Sequence, residues 1–193
     1  SDTDGSMNQS AGNGASVVLS NSTNETSDIT IGIDVSKFQG TIDWAQVASS
    51  GVDFAMIRVG YRAQKTGVIY ADTNAKYNMQ QASANGIKVG AYFFSSAVNE
   101  AEAIEEADWV ADFIADYSIT YPVAFDCEGF NTSESRQKSM TKAERTDVAV
   151  AFLQEIYDKG YTPMFYAACS ELTNNSQWNI ATVSYTHLTL PTT

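Results

Sequence analysis

The chain has 193 residues, 44% of them hydrophobic, which is enough for one domain with a sizeable core. Its formal charge of −12, from 11 Lys and Arg against 23 Asp and Glu, excludes nucleic acid and anionic lipid as the main partner, because neutralising phosphates takes cations in number. No apolar run approaches the roughly 20 residues that span a bilayer, so no membrane span is expected.

Residues 1 to 28 are Ser, Asn, Gly and Thr with little bulky apolar content beyond Val17, Val18 and Leu19. Such a segment buries too little surface to offset its ordering entropy, and it is expected to be a disordered leader or linker. Asn21-Ser22-Thr23 and Asn24-Glu25-Thr26 match the N-glycosylation pattern, as chance alone would produce in so Asn- and Ser-rich a stretch.

From Ile29 the pattern changes to short apolar runs alternating with longer amphipathic ones. The expected strands are "ITIGIDVS" (29 to 36), "FAMIRVGY" (54 to 61), "KVGAYFFS" (88 to 95), "PVAFDCE" (122 to 128) and "TPMFYAA" (162 to 168). Helices are expected between them. Asn99 and Glu102 form a capping signal ahead of Ile104, Ala107, Ala111, Ile114 and Tyr117 at helical spacing. Thr141 and Glu144 repeat that signal ahead of Val148, Phe152 and Ile156. Three helices are expected to stop at a glycine leading into the next strand, in "SSGVDF", "ANGIKV" and "DKGYTP". Strand, helix, glycine, strand, repeated, marks parallel β/α units, which fits a barrel or an open doubly wound sheet.

The placement of polar residues favours the barrel. Asp34, Tyr61, Ser95, Asp126 with Glu128, and Tyr166 fall at or near the C-terminal ends of their strands, where β/α barrels carry active sites. No GxGxxG or GxxxxGK[ST] follows a strand, so nucleotide-binding versions have no support. The one histidine, His187, cannot build a Ser-His-Asp, Cys-His or HExxH site among the other elements, and Cys127 and Cys169 read as two small core residues. Carboxylate chemistry remains. Asp126 and Glu128 alternate along an apolar run, which puts two acids side by side, each raising the other's proton affinity. With aromatic rings at the same rim this suits a glycosidase, where rings stack on pyranose faces and acids work on the glycosidic oxygen. From the residues alone a Mg²⁺ or Ca²⁺ cage of Asp34, Asp126 and Glu128 stays open as an alternative.

The pieces "GIDVSKFQGTIDW" (32 to 44), "FAMIRVGY", "DTNAKYN" (72 to 78), "ANGIKVGAYFFS" (84 to 95), "PVAFDCE" and "KGYTPMFYA" (159 to 167) occur in the order and spacing of a known family. The chain resembles the glycoside hydrolase family 25 lysozymes of the Chalaropsis type, N-acetylmuramidases that cleave the β-1,4 bond between N-acetylmuramic acid and N-acetylglucosamine in peptidoglycan. The resemblance implies an α/β fold, the irregular parallel β/α barrel of that family. It implies Glu128 as general acid, Asp126 as its partner carboxylate, either nucleophile or orienter of the substrate acetamido group, and Asp34 as a third acid at the cleft floor. Tyr61, Tyr92 and Tyr166 would line the sugar groove, and Gln39-Gly40 shapes the turn after the first strand. No metal or cofactor is implied. The expected partner is the peptidoglycan strand, acted on by a secreted or wall-associated monomer.

The family pattern departs after Trp178, where "VSYTHLTLPTT" replaces further strands and a late aspartate. The expectation is therefore a catalytic domain over 29 to 182, with the barrel incomplete at its C-terminal end, and a non-native tail over 183 to 193. A glycan-binding module of the same fold that does not cleave is the alternative of a different class.

Overall fold

The computed structural model describes residues 16–19, 30–173 and 176–185. Its sheet contains β1 (Ser16–Leu19), β2 (Ile31–Val35), β3 (Phe54–Arg62), β4 (Ile69–Ala71), β5 (Lys88–Phe94), β6 (Val123–Asp126) and β7 (Pro163–Tyr166). Strands β2, β3, β5, β6 and β7 run parallel in that order, and the sheet curls as an open half-barrel. β4 pairs antiparallel with β3 as a hairpin that the sequence pattern did not show.

Alternation along the strands separates two faces. Ile33, Val35, Ala55, Ile57, Val59, Val89, Ala91, Phe93, Val123 and Phe125 point outward into the main core. Against them pack α1 (Trp44–Ser49), α2 (Ala75–Ala84), α3 (Glu100–Ile114) and α4 (Lys142–Asp158). The inner face holds a smaller cluster of Phe54, Met56 and Ala124 with Tyr92, Tyr121 and Met164. Gly32 and Gly90 leave room there, since a Cβ on Gly32 would collide with the Phe54 ring and one on Gly90 with the Met56 sulfur. This apolar plug forms the floor beneath the polar strand ends.

The helix boundaries follow local chemistry. The Asn99 side chain accepts from Glu102 N at 2.9 Å, while Glu102 Oε2 accepts from Val98 N at 3.0 Å, one residue outside a reciprocal box. Thr141 and Glu144 complete the reciprocal box on α4. Gly51, Gly86 and Gly160 follow α1, α2 and α4 at φ of 83°, 78° and 88°, the left-handed turn that returns each helix to its strand. Ile104, read as part of the buried stripe of α3, is instead 40% exposed. Glu106 takes an inward position because Arg62 meets it there at 2.7 Å.

Other expectations shift. Ser16–Leu19, the apolar part of the leader, pairs antiparallel with β2, whose outer edge would otherwise present open backbone groups. The rest of the leader, with Asn21 and Asn24, lies outside the described residues, as does His187. Cys127 is buried, but Cys169 is exposed rather than a core residue. The boundary at 182 falls inside α6 (Ile180–Tyr185), whose entry is fixed by Asn179 N donating to Thr146 Oγ1 at 3.1 Å. Val183, assigned to the tail from sequence, is buried in the main core; residues 186–193 lie outside the described residues.

Val183→Asp is accordingly expected to destabilise the chain by about 3 kcal/mol, the cost of burying an unpaired charge, read from urea unfolding. A change within about 0.5 kcal/mol, typical of surface positions, would restore the boundary at 182.

Candidate active site

Asp126 closes β6, in register with Phe94 on one side and Tyr166 on the other. Ser95 N donates to its backbone oxygen at 2.7 Å, the last rung on that side. The strand ends there, sooner than the sequence pattern predicts. Cys127 and Glu128 follow in irregular chain before Gly129 turns it at φ 67°. The two acids are therefore neighbours across a strand end rather than alternate residues of one strand. Cys127 points the other way, into the outer core, where Gln137 Oε1 lies 3.6 Å from its sulfur.

Asp34 lies on β2 in register with Met56, and two residues on the chain turns into a short 3₁₀ helix over Lys37–Gln39. Gln39 Oε1 accepts from Ser36 N at 2.7 Å, so Gln39 shapes that turn, as read from sequence. Asp72 ties it to the sheet: Oδ2 accepts from Lys37 N at 3.0 Å and from Arg58 Nε at 2.9 Å, while Oδ1 accepts from Asn74 N at 3.0 Å. Arg58 is buried and lies in register with Tyr92. Its guanidinium sits 4.9 Å from the Phe38 ring and 5.4 Å from the Tyr61 ring, and Lys37 Nζ approaches the same two rings at 5.4 and 5.1 Å.

The three tyrosines differ in surroundings. Tyr61 is buried and stacks on Tyr70 at 5.6 Å between ring centroids. Tyr92 is partly buried among the inner apolar cluster, and Tyr166 is 48% exposed at the rim. Phe38 and Tyr70 are exposed rings beside them, at 54% and 39%.

Electrostatics bind these groups into one site. Burial pushes the Asp126 carboxyl well above the usual range, Glu128 and Asp34 push it further, and Arg58 pulls against them. Its Oδ1 is buried with no hydrogen-bond partner among the described residues. Glu128 is also raised, first by burial and then by the charges of Glu171 and Asp34, and burial raises Asp34. Tyr92 and Tyr166 are raised by burial and by the same acids. Burial and like charge together favour the protonated forms of Asp126 and Glu128.

Three residues of this constellation were not assigned to the site from sequence. Arg58, inside an otherwise apolar strand, was a usable signal, since a lone arginine there needs a buried partner. Asp72 stood within "DTNAKYN" without a role. Glu171, at the start of α5 (Cys169–Leu172), accepts from Trp178 Nε1 at 3.3 Å and gave no sequence signal at all. Among the described residues no three His, Cys, Asp or Glu side chains converge as a metal cage.

The arrangement is similar to proteins already known. Lysozyme M1 of Streptomyces globisporus is 38% identical over 80 residues, covering 42% of this chain and 25% of that protein. The modular autolysin LytC of Streptococcus pneumoniae, solved in complex with a synthetic peptidoglycan ligand, superposes with a TM-score of 0.65 at 23% identity, over 73% of this chain and 33% of that one. A bacterial lysozyme of Streptomyces coelicolor gives a TM-score of 0.54 at 26% identity, over 70% of this chain and 61% of its own. The chain thus spans a quarter of the curated relative and a third of the autolysin. The family model for glycosyl hydrolases family 25 matches residues 33–187, through α6 and past the boundary read from sequence. With a match over most of its length, the chain belongs to glycosyl hydrolases family 25.

Proposed function

We propose that this chain is a peptidoglycan hydrolase, an N-acetylmuramidase that cleaves the β-1,4 bond between N-acetylmuramic acid and N-acetylglucosamine, acting outside the cell or at the wall. The observation that carries this reading is the placement of Asp126 at the end of β6 with Glu128 two residues on, where burial raises both carboxyls. Glu128 delivers its proton to the glycosidic oxygen as the C–O bond breaks, and burial, with the like charges of Glu171 and Asp34, keeps that proton in place until then. Asp126, deeper and opposed by Arg58, is the carboxylate that meets positive charge developing at the sugar or at its acetamido group. Tyr166 and Phe38 offer exposed ring faces to the pyranoses, and the more buried Tyr61 and Tyr92 line the groove. No metal takes part in this reading. Among the described residues β7 pairs on one side only, with β6, and this favours a second reading, glycan binding without turnover. A turbidity assay on purified bacterial cell walls separates the two: clearing supports the hydrolase, and binding without clearing supports the inert module.

Glu128→Gln keeps shape and hydrogen bonding but removes the acid, so kcat is expected to fall by roughly 10²-fold to 10⁴-fold with glycan binding retained. Near-normal hydrolysis by that variant overturns the assignment, and loss of activity on adding EDTA, restored by Mg²⁺, would instead bring back the carboxylate–metal reading.

The same cluster bears on stability. Asp34, Asp126 and Glu128 hold protons more tightly in the folded chain than in the unfolded one, so their contribution to stability falls as pH rises from the ordinary carboxylate range, about 4, through their raised values. Asp126→Asn should therefore raise Tm at neutral pH, with a gain that shrinks toward pH ~4, while turnover is lost. A Tm difference independent of pH would show that folding does not raise the Asp126 carboxyl.

A further inference from the structure

Each residue of the Asp126-Cys127-Glu128 turn is gripped from outside the β6 strand. Ser95 N holds the Asp126 carbonyl at 2.7 Å. The Gln137 carboxamide meets the Cys127 sulfur and donates through Nε2 to Ala97 O at 2.9 Å. Gln64 Nε2 donates to the Glu128 carbonyl at 3.3 Å. Only the last of these acts on the peptide that carries the acid itself. β6 has ended by then, so no ladder bond does this work.

Gln64 is itself fixed. It is buried, at 6% exposure, in the turn between β3 and β4. That turn is closed by Ala63 N to Val68 O at 2.9 Å and Gly67 N to Ala63 O at 2.9 Å, and Arg62 Nη1 donates to Gly67 O at 2.7 Å. The Gln64 carbonyl accepts from Arg136 N at 3.1 Å, so its backbone grips the loop after Glu128 while its side chain grips Glu128. Arg136 makes a two-pronged pair with Glu102, at 2.7 and 2.9 Å, anchoring that loop to the first turn of α3. Gly67, at φ 72°, lets this happen: a Cβ there would lie 2.7 Å from Arg136 Nη1.

We propose that Gln64 is a positioning residue for Glu128: the β3–β4 turn, through one buried carboxamide, sets where the acid stands relative to the glycosidic oxygen. This rests on the muramidase reading. Misplacement of a reacting group by about 1 Å costs on the order of 10²-fold in rate. A displaced acid damages only reactions that need its proton, and this distinguishes positioning from general support of the fold.

The test compares full-length wild type, Gln64→Leu and Gln64→Glu, which swaps the donor for an acceptor at equal size and serves if the leucine variant does not fold. Two substrates are used: peptidoglycan, whose sugar leaving group requires protonation, and a dinitrophenyl β-glycoside of the same disaccharide, whose phenolate leaves without it. The expected result is a fall in kcat of roughly 10-fold to 100-fold on peptidoglycan, with KM within about twofold, a displaced basic limb of the pH–rate profile, and little change on the aryl glycoside. Equal losses on both substrates, or none on peptidoglycan, overturn the proposal. If wild type cleaves neither, the muramidase reading fails, and the brace is then read by ¹³C-carboxyl titration of Glu128. A displaced titration in Gln64→Leu supports it, and an unchanged one overturns it.

Discussion

Everything at the open end of this sheet answers to one constraint, the holding of like-charged carboxylates together where water is scarce. Asp126, Glu128 and Asp34 are all pushed up by burial before any neighbour is counted, and Asp126 and Glu128 then suffer the charge of other acids as well. Left to itself such a cluster would spread apart or hydrate. It stays because its backbone belongs to strands whose opposite faces are locked in the apolar core: Ile33 and Val35 beside Asp34, Phe125 and Cys127 around Asp126. Alternation lets one strand buy stability on its outer face and spend part of it on its inner one.

The two buried arginines of β3 show how fine that separation is. In a regular strand Arg58 and Arg62 would share a face. The parallel register with β5 slips between Arg58 and Gly60, so Val59 and Gly60 both face outward and Tyr61 returns to the inner side. Gly60 is required there, because a Cβ would stand 2.6 Å from the Trp109 ring on α3. The consequence is one arginine per face. Arg58 pairs with Asp72 and opposes the acids in the cleft, while Arg62 reaches the helix side to meet Glu105 and Glu106 at 2.7 Å each.

Those features mark the limit of what the sequence made legible. The parallel strands, the caps at Asn99 and Thr141, and the glycines after α1, α2 and α4 were readable because each rests on neighbours within a few residues. Asp34, Asp126 and Glu128 were readable as polar residues ending apolar runs. Tyr61 was placed at the rim by its position along the strand, but the bulge that turns it inward depends on Trp109, nearly fifty residues away, and leaves no local trace. The same holds for Arg58 with Asp72, Glu171 with Trp178, and the Gln64 contact with Glu128, all pairings that exist only once the sheet has curled. Val183 was misread for another reason: composition announced a break in pattern before the helical packing of α6 had ended.

α3 draws these long-range pairings into one frame. Its first two turns present Glu102, Glu105 and Glu106 to the ends of β3 and to the loop after β6, and the arginines that answer them come from both. Burial pushes Glu106 up to about 7 although Arg62 pulls it down, so the pair adds little net stability. Its value lies in register. Breaking the Arg62–Glu106 contact would leave a charge stranded in the core, which penalises every other docking of the helix against the sheet. The loops that hold Glu128 hang from this frame, through Arg136 on Glu102 and through Arg62 on the turn that carries Gln64. The Glu128 backbone is therefore tied, through Gln64 and Arg136, to ion pairs on the helix side of the sheet.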